Sequence, residues 1–177
     1  PGGPASGGGM FAQNANLAVT VHMPTDRYFL NSNSASGDGG GLYNEGLGAV
    51  CCATRGTDYV TNITLADNRA DGNGGGVSTH GSAYTGLASA TIADNLAGGS
   101  GGGVYNDGSL TVTNCTFANN STGADGGGLD QEGTATVTGT TFSANTAASE
   151  GAALKNKGTL TMSNSTLYGN TATSDGG

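Results

Sequence analysis

Apolar positions return along this chain in fixed columns. Leu30, Leu65, Ile92, Phe117, Phe142 and Leu167 each stand three residues before an asparagine, at Asn33, Asn68, Asn95, Asn120, Asn145 and Asn170. A second column follows glycines at Met10, Leu42, Val77, Val104, Leu129 and Leu154, and a third holds Val60, Leu87, Val112, Val137 and Met162. Glycine triplets or their Gly-Ala-Ala equivalent begin at Gly101, Gly126 and Gly151, a spacing of 25 residues. Between the columns apolar and hydroxylated residues alternate, as at Leu110, Thr111, Val112 and Thr113, which is the period of a half-buried strand. So short a repeat, built from short strands between Gly and Asn corners, predicts an all-β solenoid: a parallel β-helix of about six rungs with three strands per turn.

In such a coil each residue lies about 4.8 Å from its counterpart one period later, so columns in the sequence become ladders in space. Leu110, Val112, Cys115 and Phe117 are expected to point inward. The recurring asparagine reads as an internal amide ladder, each carboxamide bonding to those above and below. Asn44, Asn106 and Asn156, each two residues before a glycine, read as turn residues in positive-φ conformation.

Composition narrows the picture. With 35 glycines, no tryptophan and 34% hydrophobic residues, the chain cannot fill an ordinary two-layer core, and a narrow one of small side chains fits better. Apolar residues that return in register exclude disorder, apart from a Gly/Pro lead over residues 1–6; residues 7–177 form one domain. A net charge of −8 repels phosphate backbones and anionic membranes. Neither nucleic-acid binding nor membrane insertion by this segment is expected, since no run has the apolar length of a span. Lacking an initiator Met and a signal peptide, the chain reads as a mature or excised segment. Three cysteines, Cys51, Cys52 and Cys115, have no metal-site or redox spacing, and Cys115 shares the face of Phe117 as a small buried group.

Two rungs are longer than the rest, by ten and seven residues, which places inserted loops at about 47–57 and 11–24 on one flank. Loops on one flank of a solenoid are where recognition is usually built, and His22, Asp26, Arg27, Arg55, Asp58 and Tyr59 lie in or beside them. A carbohydrate-binding or carbohydrate-active protein would place its carboxylates there, with Asp26 and Asp58 the residues to change. His22 and His80 are the side chains suited to neutral-pH proton transfer, and neither falls in a Ser/Asp or Cys pattern. No catalytic set is read, and no enzyme is expected. Asp125, Glu150 and Asp175 stack before successive glycine turns, where they repel unless a cation bridges them; calcium is the alternative to solvated acids and no cofactor. Thr64, Thr91, Thr116, Thr141 and Thr166 form one outward hydroxyl column and Thr111, Thr136 and Thr161 another, which raises ice binding as a further alternative. Asn62, Asn114 and Asn164 match the glycosylation sequon in one corner column.

The pairing of Gly102-Gly103-Val104 and Gly127-Gly128-Leu129 with Phe117 to Asn120 and Phe142 to Asn145 resembles the repeats of polymorphic outer-membrane proteins and related right-handed β-helix surface proteins. The likeness covers most of residues 39–177. It implies a right-handed coil, secretion, and a role in adhesion and surface display. No capping helix is apparent at either end, and an open solenoid end invites another chain to continue the stack. Gly7, Gly8, Gly9 and Met10 at one end, and Leu154, Leu167, Asn170, Gly176 and Gly177 at the other, are the expected self-assembly positions. The resulting expectation is an extracellular, non-enzymatic fibre subunit or adhesin that forms a head-to-tail homopolymer, with glycans as a second partner class.

Overall fold

The alternation along the chain folds as stacked strands in the computed structural model, which describes residues 9–13, 17–18, 28–45, 49–51 and 60–177. One regular coil consists of Val104–Asn106, Ser109–Thr113, Thr116–Ala118 and Ser121–Thr122. Coils pair in parallel and residue for residue: Val104 with Val77 and Leu129, Leu110 with Ala135, Phe117 with Ile92 and Phe142. The result is four parallel sheets, three of six strands and one of seven, here called first to fourth in chain order. Among the described residues no helix forms.

Four strands per coil, rather than the three expected, follow from an extra corner. The residue before each ladder asparagine is left-handed, from Ser32 at φ 58° through Asn119 at φ 55° to Gly169 at φ 63°, so the two residues after the asparagine form a sheet of their own. A second left-handed corner, at Asn62, Ser89, Asn114, Gly139 and Asn164, separates the second sheet from the third. The third is the first glycine of each triplet, with φ of 70° at Gly101 and 69° at Gly126. The next glycine is required for a different reason: a Cβ on Gly102 would stand 2.5 Å from the backbone oxygens of Gly127 and Ser121.

Inside the coil the apolar columns pack as read. Leu65, Leu87, Ile92, Val112, Phe117, Leu129, Val137 and Phe142 are fully buried, and the Phe117 and Phe142 rings stack with centroids 4.6 Å apart. Cys115 lies among them, and burial pushes its thiol up to about 11.

The long coils depart from the regular path later than expected. Met10–Gln13 and Leu17–Ala18 are strands, as is Ala49–Cys51, because each pairs in register with the coil above. Both departures interrupt the second sheet, after Ala18 and after Cys51. The chain between those points and Tyr28 or Val60 lies outside the described residues. So do His22, Asp26, Arg27, Cys52, Arg55, Asp58 and Tyr59, together with the 1–6 lead, Gly7 and Gly8.

Candidate functional site

The asparagine column is an unbroken hydrogen-bonded ladder. The backbone N–H and the Nδ2 of each asparagine both donate to Oδ1 of the next, at 3.1 and 2.9 Å from Asn95 to Asn120 and 3.0 and 3.0 Å from Asn120 to Asn145. The remaining amide hydrogen donates one coil down, from Asn120 to the Ile92 carbonyl at 2.9 Å and from Asn145 to that of Phe117 at 3.0 Å. Each carboxamide from Asn68 to Asn145 therefore ties three coils together. Asn44 and Asn106, read from sequence as turn residues, lie within strands of the first sheet and are fully buried. The third residue of these strands points inward, and with Thr79 and Gln131 they make a second polar column, in which Asn106 Nδ2 donates to Gln131 Oε1 at 2.7 Å.

The outer side of the first sheet concentrates the chain's ionisable groups. Tyr43, Ser78, Tyr105, Asp130 and Lys155 stand in register, and Glu45 and His80 are likewise register partners. Ser78 is small where its neighbours are tyrosines, and the His80 ring fills the space. It lies between the Tyr43 and Tyr105 rings, 5.2 Å from each centroid. His80 Nε2 is 2.7 Å from Ser78 Oγ and 3.2 Å from Asp38 Oδ2, while Nδ1 is 3.1 Å from Asp107 Oδ2. The other oxygen of each aspartate accepts a backbone N–H, from Asn73 to Asp38 and from Gly81 to Asp107, both at 2.6 Å. Burial works against the imidazolium, but hydrogen bonds from His80 to Asp38 and Asp107 and their charges outweigh it and raise the His80 pKa. The same bond from His80 holds Asp38 below its ordinary range. Burial first, then Glu45, pushes the Tyr43 hydroxyl up to about 12.

Ser78, His80 and Asp107 are the residue types of a nucleophilic triad, joined in the order such chemistry uses. Ser78 is 0% exposed, and Asp38 Oδ2 stands 3.2 Å from the ring nitrogen that faces the serine oxygen. Sequence reading passed over this set because Asp107 lies 27 residues from His80. The signal was present in the columns, since the residue after Asn106 sits one coil above the residue after Thr79.

Further along the strip the acids are matched by lysines. Tyr105 donates to Glu132 Oε2 at 3.1 Å, and Lys157 donates to Glu132 Oε1 at 2.9 Å and lies 3.7 Å from Asp125. The Lys157 bond holds Glu132 below its ordinary range and raises Lys157 in return. Burial pushes the fully enclosed Asp130 carboxyl up, against the Ser100 hydroxyl and the Lys157 charge. Of the expected calcium ligands, Asp125 accepts the Glu150 backbone N–H at 3.1 Å, Glu150 pairs with Lys155, and Asp175 is exposed. Among the described residues no three His, Cys, Asp or Glu side chains gather as a metal site.

The sequon asparagines occupy the left-handed corner between the second and third sheets, with Asn114 and Asn164 exposed and Asn62 half-buried. Gly139 and Ser89 share that column, so backbone conformation by itself accounts for asparagine there. The outward threonines form a larger array than two columns: Ser109–Thr113, Thr134–Thr138 and Thr159–Ser163 each carry three outward hydroxyl residues in mutual register. At the last coil Leu167 is 49% exposed, with Leu154, Leu160, Met162 and Asn170 half-buried.

Residues 29–176 match the protein family described as a right handed beta helix region. The chain belongs to this family. No curated protein and no solved structure matches it. Membership assigns the hand of the coil and leaves the chemistry of the right-handed β-helix to its own side chains. In this β-helix the strip on the first sheet pairs groups of successive coils around His80 and Glu132, whereas both carboxylate oxygens of the buried Asp130 have no hydrogen-bond partner among the described residues.

Proposed function

We propose that the protein is a non-enzymatic structural β-helix of an extracellular surface, a fibre subunit or adhesin that stacks head to tail with a second copy of itself. The observation that carries this reading is the polarity of the asparagine ladder. Between successive asparagines the backbone N–H and one Nδ2 hydrogen point toward the last coil and the accepting Oδ1 toward the first. Donor and acceptor are thus related by translation along the coil axis, which is the geometry of a heterologous contact that propagates. The likeness of the Gly-Gly-Val and Phe-x-x-Asn repeats to polymorphic outer-membrane proteins supports a surface location and a role in adhesion.

Sedimentation and electron microscopy of the purified chain test the proposal. Concentration-dependent end-to-end filaments are expected, and Leu167→Lys, which sets a charge on an exposed apolar side chain of the coil that holds Asn170, should leave folded monomers. Wild-type protein that remains monomeric at high micromolar concentration refutes it.

A further inference from the structure

His80 is the one described histidine, and it is held by residues of three successive coils. Asp38 belongs to the coil below, in the turn that leads into Leu42–Glu45; Ser78 and His80 share a strand; Asp107 belongs to the coil above. The coil of Asp38 is also the one that leaves the regular path after Cys51, with 35 residues separating Asn33 from Asn68 where regular coils have 25. We propose that Asp38, His80 and Asp107 form a proton-gated clasp, closed when the imidazole is charged, that fastens this irregular coil to the regular stack.

The gating follows from counting hydrogens. A charged imidazole has a donor on each nitrogen, so Nδ1–H serves Asp107 and Nε2–H serves Asp38, 3.1 and 3.2 Å away. A neutral ring keeps one hydrogen. On Nδ1 it serves Asp107 and leaves Nε2 as a lone pair that accepts the Ser78 hydroxyl at 2.7 Å and faces the Asp38 carboxylate; on Nε2 it serves Asp38 and leaves a lone pair facing Asp107. In either tautomer one contact between coils survives deprotonation and the other becomes repulsive. The two tyrosines against the ring keep their protons in this interval. Tyr43 is pushed up to about 12 and Tyr105 higher still by burial and neighbouring acids. Glu45, the register partner of His80, adds a further carboxylate on the lower side. Because the imidazole side chain is only 17% exposed, solvent screens the pair weakly.

The sign is fixed by the raised His80 pKa. The clasp contributes fully below the ordinary histidine value of about 6.5 and is lost as pH rises through the folded value. Asp38, held low by the same bond, sets the acid limit: its contribution is present above the ordinary aspartate value and is lost as pH falls through the lower folded one. Maximum fastening therefore lies in mildly acidic solution.

An NMR titration of the His80 ring, together with urea midpoints from pH 5 to 9, tests the proposal. His80 should titrate above about 6.5, and the folding constant should drop roughly tenfold for each unit of that excess. Asp38→Asn should bring the titration back toward the ordinary value and flatten the wild-type fall in stability, and His80→Gln should remove it. A His80 titration at or below the ordinary value, or identical pH profiles for wild type and His80→Gln, overturns the proposal. If His80→Gln fails to fold, the wild-type titration and Asp38→Asn decide the matter. None of these readouts depends on filament formation.

Discussion

Asn120→Ala removes one rung of the amide ladder at its most enclosed point. The Asn120 side chain takes part in four hydrogen bonds: it accepts from Asn95 N at 3.1 Å and Asn95 Nδ2 at 2.9 Å, and it donates to Asn145 Oδ1 at 3.0 Å and the Ile92 carbonyl at 2.9 Å. Truncation strands the Asn95 backbone N–H and the Ile92 carbonyl in a fully buried position, since Asn120 is 0% exposed. Each stranded group costs roughly 1–3 kcal/mol, so a loss of about 3–5 kcal/mol is expected from a total that for a domain of this size is about 5–15 kcal/mol. Asn120→Asp keeps the acceptor and removes the donors. A carboxyl enclosed there has its folded pKa raised, so the variant should be more stable at pH 4 than at pH 7, where the charged form is buried.

Urea denaturation gives the size of the loss, and native-state hydrogen exchange gives its location. Protection should fall first at Asn95 and at the strands on either side, because a solenoid transmits stability between nearest neighbours. Asn119→Gly is the control: Asn119 is exposed at φ 55°, where glycine is at ease, and little change is expected. A loss below about 1 kcal/mol for Asn120→Ala, or one no larger than that of Asn119→Gly, refutes the claim that the ladder fastens the coils.

Two further outcomes follow from packing. Gly102→Ala places a Cβ 2.5 Å from two backbone oxygens and should lower thermal stability sharply, whereas Ala152→Gly, at the equivalent place in the last full coil, should change little. Cys115 is 2% exposed with its thiol pushed up to about 11, so it should resist a thiol reagent at pH 8 in native protein and react once urea unfolds the chain.

The columns of the chain carried the architecture a long way. Phe117 and Phe142, 25 residues apart, are ring-on-ring neighbours, and the six asparagines are one ladder, because in a parallel coil the pairing partner of a residue is its own counterpart. Corners were harder to place. Asn44 and Asn106 have the residue type of a turn yet lie inside strands, where each Nδ2 finds a buried acceptor, Thr85 Oγ1 and Gln131 Oε1, while each Oδ1 has no partner among the described residues. The fourth sheet was missed because two residues are too few to display an alternation.

By itself the sequence determined the repeat, the inward apolar columns and the asparagine ladder, all of which depend on residues compared with their equivalents one period away. Only the tertiary structure decided which unlike residues meet: Ser78 leaving the space that His80 fills, Asp38 and Asp107 reaching it from the coils below and above, and the lysines answering the turn acids. Periodicity specifies contacts between like positions. Contacts across columns depend on side-chain length and direction on a shared surface, which no spacing along the chain encodes.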